Sequence, residues 1–205
     1  MINSEFEKFE LTTALLRTGN ARKVYDIMNK GTMRAIIEKI RAYFLVMGPG
    51  RGKEGFEVRM KIRRLIEKKK GQVAIFPEEI TAENFKAFME SIGINTSHLK
   101  NLVVNPATKE YVLVLMCDIT IILLVSVDAI SEFSICFTKQ DIAHKIRVFY
   151  PERFSKDPSF VRLGPLELFR RVYHQVYTFK DYEELEEKAN EMIDDYLVYL
   201  LLSKF

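Results

Sequence analysis

Two cysteines and three histidines are all that 205 residues offer toward a disulfide framework or a zinc centre. Cys117 and Cys136 sit in apolar surroundings without CxxC spacing, so they read as reduced packing residues. His98, His144 and His174 are scattered and form no ligand cluster, and no metal site is expected. Excess charge is scarce as well: 31 basic residues stand against 28 acidic ones, a net +3. A chain that tracks nucleic-acid phosphates usually carries a larger, clustered excess, so nucleic acid is not an expected partner. The one dense basic stretch, Arg59 to Lys70, is interleaved with Val58, Ile62, Leu65 and Ile66 at helical spacing. That pattern is read as the solvated face of a helix, with a phosphate surface as the alternative. Long hydrophobic runs are missing too. The stretch from Val112 to Val125 is broken by Asp118 and falls short of the roughly 20 apolar residues a spanning helix needs. Glu5, Glu7, Lys8 and Glu10 interrupt any apolar leader. The expectation is a soluble, cytoplasmic protein with no membrane partner.

What is present suits one globular domain with an appendage: 48% hydrophobic and 29% charged residues. Residues 1–41 read as a helical extension in two pieces, from the Ser4 cap to Leu16 and from Ala21 to Arg41, with a break or kink at Gly31. From residue 42 to 205 strands and helices alternate. Strands are expected at Ala42–Met47, Gln72–Phe76, Ile119–Val125, Lys145–Tyr150 and Gln175–Phe179. Helices are expected at Phe56–Lys70 (closed by Gly71), Thr81–Ile92, Pro106 to about Cys117, Ile130–Phe137, Pro165–Val172 and from Asp181 onward. Phe154–Arg162 reads as a loop, and Asp181 with Glu184 as a capping box. The stretch Ile119–Val125 shows no alternation, so both its faces should be buried, as in a central parallel strand. The fold class expected is α/β: a three-layer, Rossmann-like (flavodoxin-like), mainly parallel five-stranded sheet with extra N-terminal helices. The nearly all-round apolar stretch Tyr196 to Leu202 predicts cover from the N-terminal helices or a second subunit, hence a homo-oligomer.

Two loops at the carboxyl ends of strands carry the candidate chemistry, because open α/β sheets bind ligands there. The first is Gly48-Pro49-Gly50-Arg51-Gly52-Lys53-Glu54-Gly55. Gly50-x-Gly52-x-x-Gly55 between a strand and a helix is the setting of a dinucleotide fingerprint, and the helix start offers free amides to a phosphate. Gly48-Pro49-Gly50 departs from it with a rigid turn. The loop is not a P-loop either: it is one residue short, with Glu54 where Ser or Thr would hold magnesium. A phosphate-contacting loop and a plain connection both remain open. Glu78, at the end of the second strand, is placed to hold ribose hydroxyls.

The second loop is Ser126-Val127-Asp128-Ala129-Ile130-Ser131-Glu132-Phe133-Ser134. It resembles Ser-Pro-Gly-Ser-x-Ala-Glu-Leu-Gly, which follows a central strand in the Rossmann-like superfamily of nucleoside 2-deoxyribosyltransferases, TIR-like NAD-cleaving domains and SLOG domains. Ser126 and Glu132 match outright, Ser131 and Phe133 conservatively, and Asp118 matches the acidic residue that often precedes the strand. Phe44 to Gly50, Arg59 and Pro77-Glu78 also fall in step with that group. Ser159-Phe160-Val161-Arg162-Leu163-Gly164-Pro165-Leu166 is similar to a segment of retron-associated effector domains. Asp128-Ala129 departs from the pattern's Gly-Ser.

The resemblance implies a reaction at the N-glycosidic bond of a nucleotide or NAD, without a metal or redox cofactor. Glu132 would be the catalytic carboxylate and Asp128 its partner. Gly48, Gly50, Arg51, Gly52, Arg59, Glu78, Ser126 and Ser131 would bind substrate. A nucleotide-sensing module without catalysis and an oligomeric scaffold are the alternatives.

Overall fold

The structure is a computed structural model and describes residues 40–91, 106–125, 140–156 and 165–202. Five strands form one sheet: β1 (Ala42–Met47), β2 (Gln72–Ile75), β3 (Ile119–Leu123), β4 (Ile146–Pro151) and β5 (Val176–Phe179). Their order is β2-β1-β3-β4-β5 and every neighbouring pair is parallel. This is the expected α/β Rossmann-like sheet, with β3 at its centre. All five residues of β3 are buried, which explains why its sequence does not alternate.

Helices cover both faces. On one lie α1 (Phe56–Glu67) and the long C-terminal helix, α6 (Tyr182–Leu202). On the other lie α2 (Ala82–Ser91), α3 (Pro106–Met116), the single-turn α4 (Gln140–Ala143) and α5 (Pro165–Tyr173). The faces follow the pleat. Ala42, Phe44 and Val46 of β1 pack with Val58, Ile62 and Ile66 of α1, while Leu45 and Met47 pack with Leu113 and Val114 of α3. Each of the three buried α1 side chains contributes roughly 2 kcal/mol by leaving water.

Local signals account for most element ends. Thr81 caps α2 by accepting from the Asn84 amide at 3.2 Å. Asp181 accepts from the Glu184 amide at 2.9 Å, but the Glu184 carboxylate takes the Lys180 amide, one residue earlier than a capping box would have it. Helix α1 stops at Glu67, three residues before the expected Lys70. Part of the apolar stretch of α6 packs on the sheet: Leu197 is buried, and Tyr196 meets Phe44 edge to face at 5.9 Å. The expected helices Ser4–Leu16 and Ala21–Arg41 lie outside the described residues up to residue 39, Ile40 and Arg41 are not helical, and the expected helix Ile130–Phe137 lies outside the described residues.

The strand order reverses between β1 and β3, with α1 after β1 on one face and α4 before β4 on the other. Open α/β sheets hold ligands at such a switch point. Gly48 leaves β1 with φ +141°, and a methyl group there would lie 2.9 Å from Leu123 Cβ and 3.2 Å from its carbonyl oxygen. The chain turns directly against the end of the central strand, so only glycine fits. Gly50 has open space around it. Gly48→Ala should therefore cost about 2 kcal/mol in denaturant unfolding. Gly50→Ala should stay within about 0.5 kcal/mol of wild type.

Candidate functional site

A cleft of about 490 Å³ opens at the carboxyl edge of β1. Three elements shape it. The glycine loop forms one wall with Gly48, Pro49, Gly50, Arg51 and Lys53. The 3-10 turn Pro77–Glu79, started by a proline at its first position, brings Glu78 to the second wall. The first turns of α3 supply Lys109 and Glu110. Gly55, with φ +88°, precedes the first residue of α1, and its position carries no side-chain cap.

Arg59 lies at the bottom of this cleft on the apolar side of α1 and is 2% exposed. Its guanidinium donates to Val46 O through Nε (3.1 Å) and Nη2 (2.7 Å). Nη1 reaches Gly48 O at 3.4 Å and Pro49 O at 3.3 Å. Glu78 takes the fork in bidentate fashion, at 2.7 Å from Nη1 and 2.8 Å from Nη2. The Phe76 ring lies 4.1 Å below the guanidinium carbon. A charge this deeply placed requires such pairing, since a buried guanidinium without partners is strongly unfavourable.

Three other cations of the basic stretch are ion-paired. Arg63 binds Glu67 and Glu79, Lys61 binds Glu186, and Lys69 binds Asp194. Asp118 sits at the opposite, amino edge of the sheet. There its carboxylate accepts from the Tyr43 amide at 2.8 Å and its own amide returns a bond to Tyr43 O at 2.9 Å. Beside it, burial and the Asp118 charge push the Cys117 thiol up to about 12, which makes it an inert packing group.

Gly48, Gly50, Arg51, Arg59 and Glu78 thus line one cleft, while Gly52 stands in open space on the same loop. Ser126, Asp128, Ser131 and Glu132 lie outside the described residues. The strand that leads to them ends against the glycine loop, where a methyl group at Gly55 would meet Val125 Cγ2 at 2.8 Å. Among the described residues no group of three or more His, Cys, Asp or Glu side chains could hold a metal ion. No described helix is long and apolar enough to cross a membrane.

Sequence reasoning did not single out Lys109 or Glu110. Lys109 donates to Ile80 O at 3.2 Å and ties α3 to the turn after β2. Glu110 is half-buried, and burial, reinforced by the Glu78 charge, pushes its pKa above the ordinary carboxylate value, against Lys109 and Arg59. A carboxyl raised in the folded state stabilises most below its unfolded pKa, and that contribution is lost as pH rises through the folded value. Glu110→Gln should therefore raise the melting temperature at pH 7 to 8, with the gain fading as pH falls toward 4.5. A gain independent of pH would contradict this assignment.

A family model described as STM3845 retron effector protein matches residues 56–200. The match runs from the first residue of α1 into α6 and takes in Arg59, Glu78, Lys109 and Glu110. A search of curated proteins returned no match. The likeness to retron-associated effector domains read from the sequence agrees with this result. Matched over well more than half its length, the chain belongs to the STM3845 retron effector protein family.

Proposed function

We propose that this retron effector family member binds a nucleotide at the switch-point cleft and acts on its N-glycosidic bond. The observation that carries the reading is the cleft's make-up. Glu78 neutralises Arg59, and Arg51, Lys53 and Lys109 line the same cleft with Glu110 and the glycine loop. Cationic side chains in one concave site suit a phosphate group. The loop from Ser126 to Ser134 then follows the central strand at the same sheet edge, where its likeness to the deoxyribosyltransferase, TIR-like and SLOG group bears on chemistry.

Departure of a base from ribose builds oxocarbenium character at the anomeric carbon. Glu132 in this reading lies beneath the sugar as nucleophile or as its electrostatic partner, with Asp128 beside it. Glu78 keeps lone pairs beyond those used by Arg59 and can accept from ribose hydroxyls at the cleft wall. No step requires a metal or redox cofactor. The second reading is a module that binds the nucleotide without cleaving it, favoured by Asp128-Ala129 in place of the pattern's Gly-Ser.

Incubation with NAD and with nucleoside monophosphates, followed by chromatography of released base, separates the two. The first reading expects turnover, and expects Glu132→Gln to lower it on the order of 100-fold with folding intact. Binding without base release would leave the sensor. Neither binding nor release across the panel would refute both readings.

A further inference from the structure

We infer that Arg59 is a positioning residue that fixes the shape of the glycine loop, and that the phosphate of a bound nucleotide is left to the loop itself. The proposal rests on the reading of the cleft as a nucleotide site and assigns Arg59 a place in it. An arginine on a helix flanking a phosphate loop is naturally taken for an anion ligand. Here the geometry points the other way. A guanidinium has five N–H groups and no more. They make six contacts, two to Val46 O and one each to Gly48 O, Pro49 O and the two Glu78 oxygens, at 2.7 to 3.4 Å, with Nη1 shared among three acceptors. The side chain is 2% exposed and lies on the Phe76 ring. An incoming phosphate would have to break the Glu78 fork to reach it.

The acceptors are the instructive part. Val46, Gly48 and Pro49 are where β1 ends and the chain turns into the loop, so one planar group ties three carbonyls of the turn to the wall opposite. Downstream, the loop's internal bonds run from the Lys53 amide to Gly50 O (3.1 Å) and from the Phe56 amide to Lys53 O (3.2 Å), and Glu54 meets Arg153 at 3.8 Å. The course of the loop starts from this fixed root. Glu78, whose side chain is 47% exposed, anchors the guanidinium from the cleft side and closes it to solvent ligands.

Arg59→Lys tests this while keeping the positive charge, because an ammonium cannot span three carbonyls and a carboxylate in one plane. Hydrogen exchange of the protein without ligand is the first readout. Protection of the Lys53 and Phe56 amides should fall at least about tenfold, with the Leu124 and Val148 amides, bonded within the sheet to Phe149 O and Gln175 O, unchanged. Glu78→Gln should loosen the same two loop amides. A uniform loss at all four would mean that Arg59 serves only global stability, and unaltered loop protection would overturn the strut outright. Adenosine monophosphate titrated by calorimetry is the second readout. Arg59→Lys should weaken binding about tenfold or more with the salt dependence of wild type retained, because the phosphate contacts remain in place. A shallower salt dependence in the variant would make Arg59 a direct phosphate ligand and refute the proposal. If wild type binds no nucleoside monophosphate, the nucleotide reading falls, and the exchange readout alone decides whether Arg59 is the strut.

Discussion

One buried guanidinium governs the carboxyl edge of this sheet. Arg59 rises from the apolar side of α1 and gathers the Val46 carbonyl near the end of β1, the first two residues of the glycine loop and the carboxylate of the turn after β2. Burying a charge is unfavourable unless every donor is satisfied, so the end of β1, the loop root and Glu78 must stay where they are. The cleft exists because these three are held apart yet tied to a common centre. Gly48 adds a second constraint at the same point, since its missing side chain lets the turn lie directly against Leu123 of the central strand.

The sheet supplies the frame for that arrangement. Its strand order places β1 and β3 side by side, and the cleft opens at the carboxyl edge of β1. Into it come groups from three separate connections: the glycine loop, the Pro77–Glu79 turn and the start of α3. The opposite edge is closed by different means. Asp118 staples the start of β1, and Tyr196 donates to the Asp118 carbonyl at 3.3 Å. The cationic cleft is at the carboxyl edge.

Much of the fold was legible in the sequence because its signals are local. The unbroken β-branched stretch at Ile119 marked a strand buried on both faces, and period changes at Ala42 and Phe56 marked a strand and a helix. Cap residues such as Thr81 and Asp181 fixed helix starts nearly to the residue. The glycine loop, Arg59 and Glu78 were also readable as neighbours, since strand ends on one edge of a parallel sheet must converge. What eluded the sequence was non-local. Lys109 and Glu110 look like an ordinary solvated start of a helix, and only the path of α3 back to the carboxyl edge turns them toward the cleft. The burial of Arg59 was half visible. It sits beside Val58 and one turn before Ile62, on the stripe that packs against the sheet, although the basic residues around it disguised this as a charged face. Its partners, three carbonyls and a carboxylate nineteen residues away, carry no signature in the chain.

The account stands or falls on whether a phosphate-bearing nucleotide occupies this cleft. Its most direct test is a titration of the isotope-labelled protein with adenosine monophosphate, read from backbone amide chemical shifts. Saturable shifts confined to Gly50, Arg51, Gly52 and the start of α3 around Lys109 are the result predicted. No shifts, or shifts centred on the amino edge around Asp118 and Tyr196, would contradict it.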